Sequence, residues 1–260
     1  MLVANQTVAQ ALGEYDYPTM YRVHDVPAPE VVNYFIELIN KLGIKYQRRE
    51  QLDLQHEMQY LSSFVNSYGS KSGPFQYAFL RVLRKAYYST DNIGHFGLAY
   101  KDYVHFTSPI RRYPDTTVHR LLRTYLFNKE LDMGTIRKWE QKLVYISEHS
   151  SDRERASVDC EREVEDMKMA EYMEDHIGEE YEGMISSVTS FGMFIELDNL
   201  IEGLVPLRDM KDFFHYDEEH MTLTGERSHV KYTIGERVLV KVVRASKEEK
   251  TIDFEIIRKV

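Results

Sequence analysis

The sequence predicts an α+β protein: a largely helical part, residues 1–178, followed by a small five-stranded antiparallel β-barrel of the OB type, residues 179–260. Apolar residues recur at helical spacing in several segments before Gly178. After Gly178 the composition changes to short alternating segments separated by glycines. Five such segments in a row are typical of a Greek-key barrel. We therefore expect two domains with the boundary between residues 178 and 179.

Four helices and one strand are predicted before residue 87. The predicted helices cover Met1–Leu12, Glu30–Leu42, Leu52–Tyr68 and the segment from Ser72 to Ala86. The strand is Tyr21–Asp25, where polar and apolar residues alternate until two prolines close it. The polar segment Tyr87–Asn92 is typical of a turn.

The segment from His95 to Arg123 carries the clearest chemical signal. Alternation over His95–Tyr100 predicts a strand, and Pro114 with apolar residues at helical spacing behind it predicts a helix. Arg111 and Arg112 then lie in a strand-to-helix turn. A helix N-terminus favours anions, and guanidinium groups match phosphate oxygens. The turn is a candidate phosphate contact, and pairing of its arginines with acids elsewhere is the alternative.

Charge and cysteine content limit the class of protein. The formal net charge of −9 excludes a binder that holds nucleic acid by a basic exterior, but not one with a locally positive channel. No apolar run approaches the roughly 20 residues that a membrane span needs, and no signal peptide is evident. Cys160 is the single cysteine. We expect a cytoplasmic protein that does not contact membranes.

Residues Thr135–Ile177 predict a long charged helical region, with a break expected near Glu148–Ser151. Within it Asp152, Asp159 and Asp166 recur every seven residues, which places them about 10.5 Å apart along a helix. This spacing indicates a solvated face rather than a metal site. We expect no metal site in this chain.

A signature runs from His95 to Tyr100 and continues through His105-Phe106-Thr107-Ser108-Pro109-Ile110-Arg111-Arg112-Tyr113-Pro114-Asp115 and His119-Arg120-Leu121-Leu122. It resembles the signature of the RNB family of exoribonucleases. The resemblance implies magnesium-dependent removal of nucleotides, one at a time, from the 3′ end of single-stranded RNA. It further implies that Arg111 is a catalytic residue at the scissile phosphate. Arg112 is implied to bind RNA, and the sequence does not separate the two arginines. Glu161, in a segment similar to the C-terminal helix of the RNB domain, is implied to lie near the phosphates.

The barrel resembles S1-type RNA-binding domains around Ser190-Phe191-Gly192-Met193-Phe194 and Glu202-Gly203-Leu204-Val205. Such barrels stack RNA bases on aromatic side chains along a positive groove. Phe191 and Phe194 are the candidate platforms, with Phe194 as barrel core the alternative, and His215 in a predicted loop is a further RNA contact. Residues from Tyr181 onward carry 11 basic and 15 acidic side chains, a net charge of −4. This excess of acid argues against strong RNA binding by the barrel alone.

The family's closely spaced aspartate cluster, which holds the magnesium, has no counterpart in this sequence. The resemblance therefore covers the C-terminal part of an exoribonuclease, and we expect the isolated chain to be inactive. Single-stranded RNA is the expected partner, with the ribosome or the RNA-decay machinery as others, and the whole enzyme is expected to be monomeric. The alternative is a non-catalytic RNA-binding or scaffold protein.

Overall fold

The computed structural model describes residues 1–41, 43–49, 51–67, 72–218 and 220–260. The predicted helix ends Leu42 and Tyr68 lie outside these residues. The chain forms two compact units, Met1–Ala28 with Leu83–Asp159 and Pro29–Val82 with Cys160–Val260. No helix in the described ranges is long and apolar enough to cross a membrane.

Six α-helices and ten strands make up the regular structure of the described residues. The helices are α1 Leu2–Gly13, α2 Pro29–Lys41, α3 Leu54–Asn66, α4 Ser72–Val82, α5 Tyr113–Leu122 and α6 Met133–Glu174. The strands are β1 Tyr21–Val23, β2 Tyr87–Ser89, β3 Glu180–Val188, β4 Gly192–Leu197, β5 Glu202–Pro206, β6 Phe214–Asp217, β7 Thr222–Gly225, β8 Lys231–Thr233, β9 Arg237–Ser246 and β10 Thr251–Lys259. The predicted helical part and the predicted barrel strands are thus confirmed in outline.

The first unit has a core under α5 and a two-stranded sheet. β1 and β2 pair antiparallel, with Arg22 opposite Tyr88. The prediction of a turn over Tyr87–Asn92 is therefore wrong for its first three residues. Tyrosine favours strands, and burial of the Tyr88 ring in the core fixes the local conformation. Val118 and Leu121 of α5 pack in the same core, as the helical spacing after Pro114 predicted.

The predicted strand at His95–Tyr100 is wrong. Phe96–Leu98 form a 3-10 turn that ends at Ala99 in a left-handed conformation, φ 61°. The backbone N–H of His95 donates to the Tyr100 carbonyl, so the segment turns back on itself. Gly97 allows this turn to approach His24, because a Cβ at this position would lie 3.0 Å from His24 Nδ1.

α6 is continuous over 42 residues, so the predicted break near Glu148–Ser151 is also wrong. Serine in a helix interior competes with the helix for backbone hydrogen bonds. Here Ser151 Oγ donates to the Ser147 carbonyl and accepts from the Tyr88 N–H at 2.9 Å. The buried hydroxyl joins α6 to β2 without interrupting the helix.

The second unit contains α2–α4 and a closed barrel with strand order β10-β5-β4-β3-β9. Apolar residues of alternate positions fill the barrel interior, among them Ile185, Met193, Ile195, Val240 and Phe254. The barrel is not purely antiparallel as predicted, because β5 and β10 pair parallel where it closes. Short strands wound in a Greek key bring two like-directed strands together at closure, and alternation within strands carries no signal for direction.

A second sheet, β6-β7-β8, lies in the chain between β5 and β9. The sequence prediction placed His215 in a loop, which is wrong, because His215 belongs to β6. β6 pairs antiparallel with β7, with His215 opposite Thr224. Leu223 and Tyr232 of this sheet join the barrel core.

Candidate nucleic-acid interface

Asp115 holds the turn that carries the two candidate arginines. Its carboxylate is completely buried at the start of α5. It accepts the Ser108 N–H at 2.8 Å and both Nε–H and Nη2–H of Arg112 at 2.9 and 2.8 Å. The Thr116 hydroxyl donates to the Pro109 carbonyl from the same helix. The turn is therefore fixed at both ends by α5.

Arg111 and Arg112, which the sequence could not separate, differ sharply in environment. Arg112 is mostly buried and its guanidinium is bidentate to Asp115. Arg111 is exposed at the tip of the turn beside the fully exposed Ile110. Within the described ranges the Arg111 side chain makes no hydrogen bond or ion pair. Arg111 is thus the guanidinium available to an external anion.

Buried polar groups connect this turn to β1, β2 and α6 within the first unit. Arg22 pairs with Glu154 and lies over the Tyr88 ring, 4.7 Å from its centroid. The Tyr88 hydroxyl is 2.8 Å from His105 Nδ1. Burial raises the pKa of Tyr88 to about 12. Burial, together with the Arg112 and Arg22 charges, lowers the pKa of His105 to about 3. At neutral pH the tyrosine hydroxyl is hydrogen-bonded to an uncharged imidazole.

Two further histidines have structural positions. His24 Nδ1 accepts the Gly97 N–H at 2.7 Å, and its Nε2 donates to the Arg84 carbonyl at 2.5 Å. The His95 ring is tilted by 35° against the His24 ring, with centroids 5.2 Å apart. Burial, followed by the neighbouring His24 and Arg22 charges, lowers the pKa of His95 to about 4. These rings shape the loop behind the motif and are not free to act as acids or bases.

A cleft of about 1010 Å³ opens in the same unit between β2 and α6. Arg22, Tyr88 and Glu154 line its floor together with Arg155. Arg155 pairs with Asp152, so most charges of the cleft are already neutralised. This cleft contains both acidic and basic side chains. Its positive charge is therefore less available to a phosphate than that of Arg111 at the tip of the turn.

Glu161 is exposed on the part of α6 that belongs to the second unit, whereas Arg111 belongs to the first. No hydrogen bond of the Glu161 carboxylate is found among the described residues, and its predicted position beside the phosphates stays a prediction. The aspartates Asp152, Asp159 and Asp166 are exposed. No group of three or more potential ligands in the described part of the chain could hold a metal ion, so these residues do not fit a magnesium site.

The predicted aromatic pair lies on the outer surface of the barrel. Phe191 is 58% exposed at the β3–β4 turn. Phe194 is half-buried on β4 and meets Phe191 edge-to-face, with ring centroids 6.1 Å apart. The side chains of β4 that enter the core are Met193 and Ile195, so the alternative of Phe194 as barrel core is wrong.

Acidic side chains lie next to this aromatic pair. Glu196 on β4 is opposite Glu202 on β5, and burial together with the Glu202 charge raises the pKa of Glu196. Glu202 also accepts the Ser186 hydroxyl at 2.5 Å. The local charge is therefore unfavourable for phosphates, in line with the net negative charge of the barrel segment.

His215 is exposed on β6, in the second sheet. Its ring meets the exposed ring of Phe213 edge-on, 5.2 Å between centroids, and its Nε2 lies 3.9 Å from a Glu226 oxygen. Phe213 was missed by the sequence reasoning, because nothing in the pattern separates an exposed aromatic from a core one. The RNA contact predicted for His215 stays a prediction.

Comparison with known proteins identifies the class to which this geometry belongs. Residues 1–128 match the RNB domain, and residues 174–257 match the S1 RNA binding domain. The first half of the chain is therefore similar to the RNB domain, and its last third is similar to the S1 RNA binding domain.

The relatives point to one protein within that family. The chain is 45% identical to ribonuclease R 1 of Lactococcus lactis over 260 residues, which is 99% of this chain and 31% of that protein. It superimposes with a TM-score of 0.90 and 32% identity on Mycoplasma genitalium RNase R in complex with ribose methylated single-stranded RNA, covering 99% of this chain and 40% of that one. The same protein in complex with double-stranded RNA gives a TM-score of 0.79 with 29% identity, again covering 99% and 40%. The chain is thus similar throughout to ribonuclease R and spans about a third of the curated relative's length.

Proposed function

We propose that this chain is the RNA-handling part of a processive 3′-to-5′ exoribonuclease that hydrolyses single-stranded RNA to nucleoside monophosphates. The observation that supports this most directly is Arg111, an exposed guanidinium with no partner among the described residues, on a turn that Asp115 and Arg112 hold. The similarity to ribonuclease R over the whole chain gives that guanidinium its substrate. RNA in the complexes of the similar Mycoplasma protein supports RNA as the partner.

In the proposed reaction, water adds to the phosphorus of the last phosphodiester. The bond from phosphorus to the 3′ oxygen breaks, and that oxygen takes up a proton, so a nucleoside 5′-monophosphate leaves. Two N–H groups of Arg111 bind two phosphate oxygens and stabilise the negative charge that develops on them. Arg112 positions Arg111 through Asp115. Glu161 serves as the proposed phosphate-proximal carboxylate, and aspartates outside this chain hold the magnesium.

A degradation assay tests the proposal. Single-stranded RNA labelled at its 5′ or its 3′ end is incubated with the whole protein and magnesium. We expect monophosphate release from the 3′ end, which Arg111→Ala slows by about 10²–10³-fold in turnover while RNA affinity stays nearly constant. Arg153→Ala, at an exposed arginine on α6, is the matched control and leaves turnover unchanged. An equal loss of affinity in Arg111→Ala would contradict a catalytic role.

The same assay on the isolated chain separates enzyme from scaffold. We expect no cleavage, with RNA binding that weakens as salt rises. Degradation of RNA by this chain alone would reveal a metal site that its described residues do not show. Absence of cleavage by the whole protein as well would favour the non-catalytic RNA-binding scaffold.

We further propose that the whole protein is a cytoplasmic monomer that works beside the ribosome or the RNA-decay machinery. The exposed free thiol of Cys160 supports a reducing compartment. Cell fractionation and light scattering of the whole protein test the two claims. Recovery in the membrane or periplasmic fraction, or a mass twice that of one chain, would contradict them.

A further inference from the structure

α5 and the π-helical turn Arg123–Phe127 that follows it present exposed aromatic and basic side chains on one face, with the half-buried Thr116 between them. The members of this face recur at intervals of three and four residues: Tyr113, Thr116, Arg120, Arg123 and Phe127. Such spacing keeps side chains on one face of a helix. Tyr113 is 53% and Phe127 78% exposed, while Val118, Leu121 and Tyr125 face the core. We call these five residues the α5 stripe.

Arg120 and Arg123 of the α5 stripe form no ion pair with an acidic side chain among the residues that the structure describes. Arg120 donates to the Tyr113 hydroxyl at 3.3 Å and lies 5.6 Å from its ring centroid, and Arg123 makes no side-chain contact of this kind within the described ranges. The nearby acid Asp115 is buried and already neutralised by Arg112. Asp132, beyond the end of the stripe, accepts the N–H and the hydroxyl of Thr135.

Two large exposed aromatic rings next to unpaired arginines fit a single nucleic-acid strand. Aromatic rings stack on bases of any sequence, and arginines contact the backbone phosphates. Seven helical residues separate Tyr113 from Arg120, a distance of about 10 Å along the axis, which extends the surface beyond one nucleotide. The stripe also begins two residues after Arg111, so both belong to one rigid surface.

We propose that the α5 stripe is a second RNA contact, on which Tyr113 and Phe127 stack bases while Arg120 and Arg123 bind phosphates of the strand whose terminal phosphate Arg111 holds. The inference rests on the proposed function and adds to it a named track for the nucleotides beyond the reacting one. The Arg120 contact with Tyr113 fixes the aromatic ring before RNA arrives, which lowers the ordering cost of binding.

Binding of a fluorescent single-stranded oligouridylate to the chain as it stands tests the stripe. We expect the double variant Arg120→Ala/Arg123→Ala to weaken binding at least tenfold, and to reduce the slope of log affinity against log salt by about 0.7 for each lost phosphate contact. Tyr113→Ala/Phe127→Ala should weaken binding with the slope unchanged, because stacking releases no counterions. Lys138→Ala/Arg153→Ala removes two exposed cations of α6 and is the matched control.

Unchanged affinity and slope in the double arginine variant would overturn the inference. Polyglutamate that binds the chain without displacing RNA, and whose binding is lost in the same variant, would instead assign the stripe to an acidic protein and also overturn the inference. The proposed function has its own test, independent of the α5 stripe. It is contradicted if the whole protein does not degrade RNA, or if Arg111→Ala leaves degradation unchanged. All substituted residues are exposed, and a thermal melt of each variant confirms that it folds.

Discussion

At the scale of single residues, the pairing of Arg112 with Asp115 controls what Arg111 can do. Removal of one member of a buried ion pair leaves an uncompensated charge and costs about 3–5 kcal/mol. We expect Arg112→Ala to lower the free energy of unfolding by about that amount in urea denaturation. Arg111→Ala, with an exposed side chain, should change it by less than about 0.5 kcal/mol. Equal effects of the two substitutions would contradict the division between a positioning and a binding arginine.

His105 makes stability depend on pH. Its pKa is about 3 in the folded protein, because of burial and then the Arg112 and Arg22 charges, against 6.5 for the free side chain. Below pH 6.5 the unfolded chain therefore binds a proton that the folded chain does not, and the free energy of unfolding falls as pH drops from about 6.5 towards 3.

We expect His105→Gln to make this decline shallower, by up to about 1 kcal/mol per pH unit. Its amide oxygen accepts the Tyr88 hydroxyl in place of Nδ1. Urea denaturation at pH 7.5 and pH 5 measures the difference, and His229→Gln, at an exposed histidine, is the control. A pH slope that His105→Gln leaves untouched would show that His105 does not carry the effect.

At the scale of elements, the sequence predicted structure well where one local rule decided it. α5 follows from Pro114 and from apolar residues at helical spacing, and the strands β3 and β4 follow from alternation. The failures at His95–Tyr100 and at Ser151 arise from tertiary contacts. A glycine against the His24 ring turns the first segment, and a hydrogen bond to the Tyr88 N–H keeps the second helical.

Gly203 shows how tightly the barrel closes. A Cβ at this position would lie 2.4 Å from Cε2 of the Phe254 ring, which fills the core. We expect Gly203→Ala to destabilise the chain by about 1–3 kcal/mol, seen as a lower melting temperature in circular dichroism. Gly13→Ala, where the nearest atom is the Tyr21 hydroxyl oxygen at 3.4 Å, is the matched control. A melting temperature unaffected by Gly203→Ala would mean that β5 can move away from the ring.

At the scale of the whole molecule, the sequence predicted which residues form the candidate site. It did not predict which of them binds an external anion and which of them holds the turn. The motif identified Arg111 and Arg112 together, but only the buried Asp115 separates them. In the sequence, Asp115 is indistinguishable from the acidic residues that are common in the first turn of a helix. The barrel aromatics were likewise predictable from the S1-type motif. The exposure of Phe194 depends on which face of β4 turns inward, and the presence of β6–β8 depends on non-local pairing.

In the proposed function the barrel captures the RNA strand and Arg111 takes part in the chemical step. Substitution of the barrel aromatics Phe191 and Phe194 tests whether these two steps are separate. We expect Phe191→Ala/Phe194→Ala to weaken RNA binding by about tenfold or more, since stacking contributes about 1–3 kcal/mol per base. Single-turnover cleavage of bound RNA should stay unchanged, because the reacting phosphate contacts Arg111 and not the barrel. Phe213→Ala, with a ring that is 67% exposed beside the second sheet, tests whether any exposed aromatic of this domain has the same effect. A slower single turnover in the Phe191→Ala/Phe194→Ala variant would place the barrel in the chemical step, and the proposed restriction of the barrel aromatics to strand capture would then be wrong.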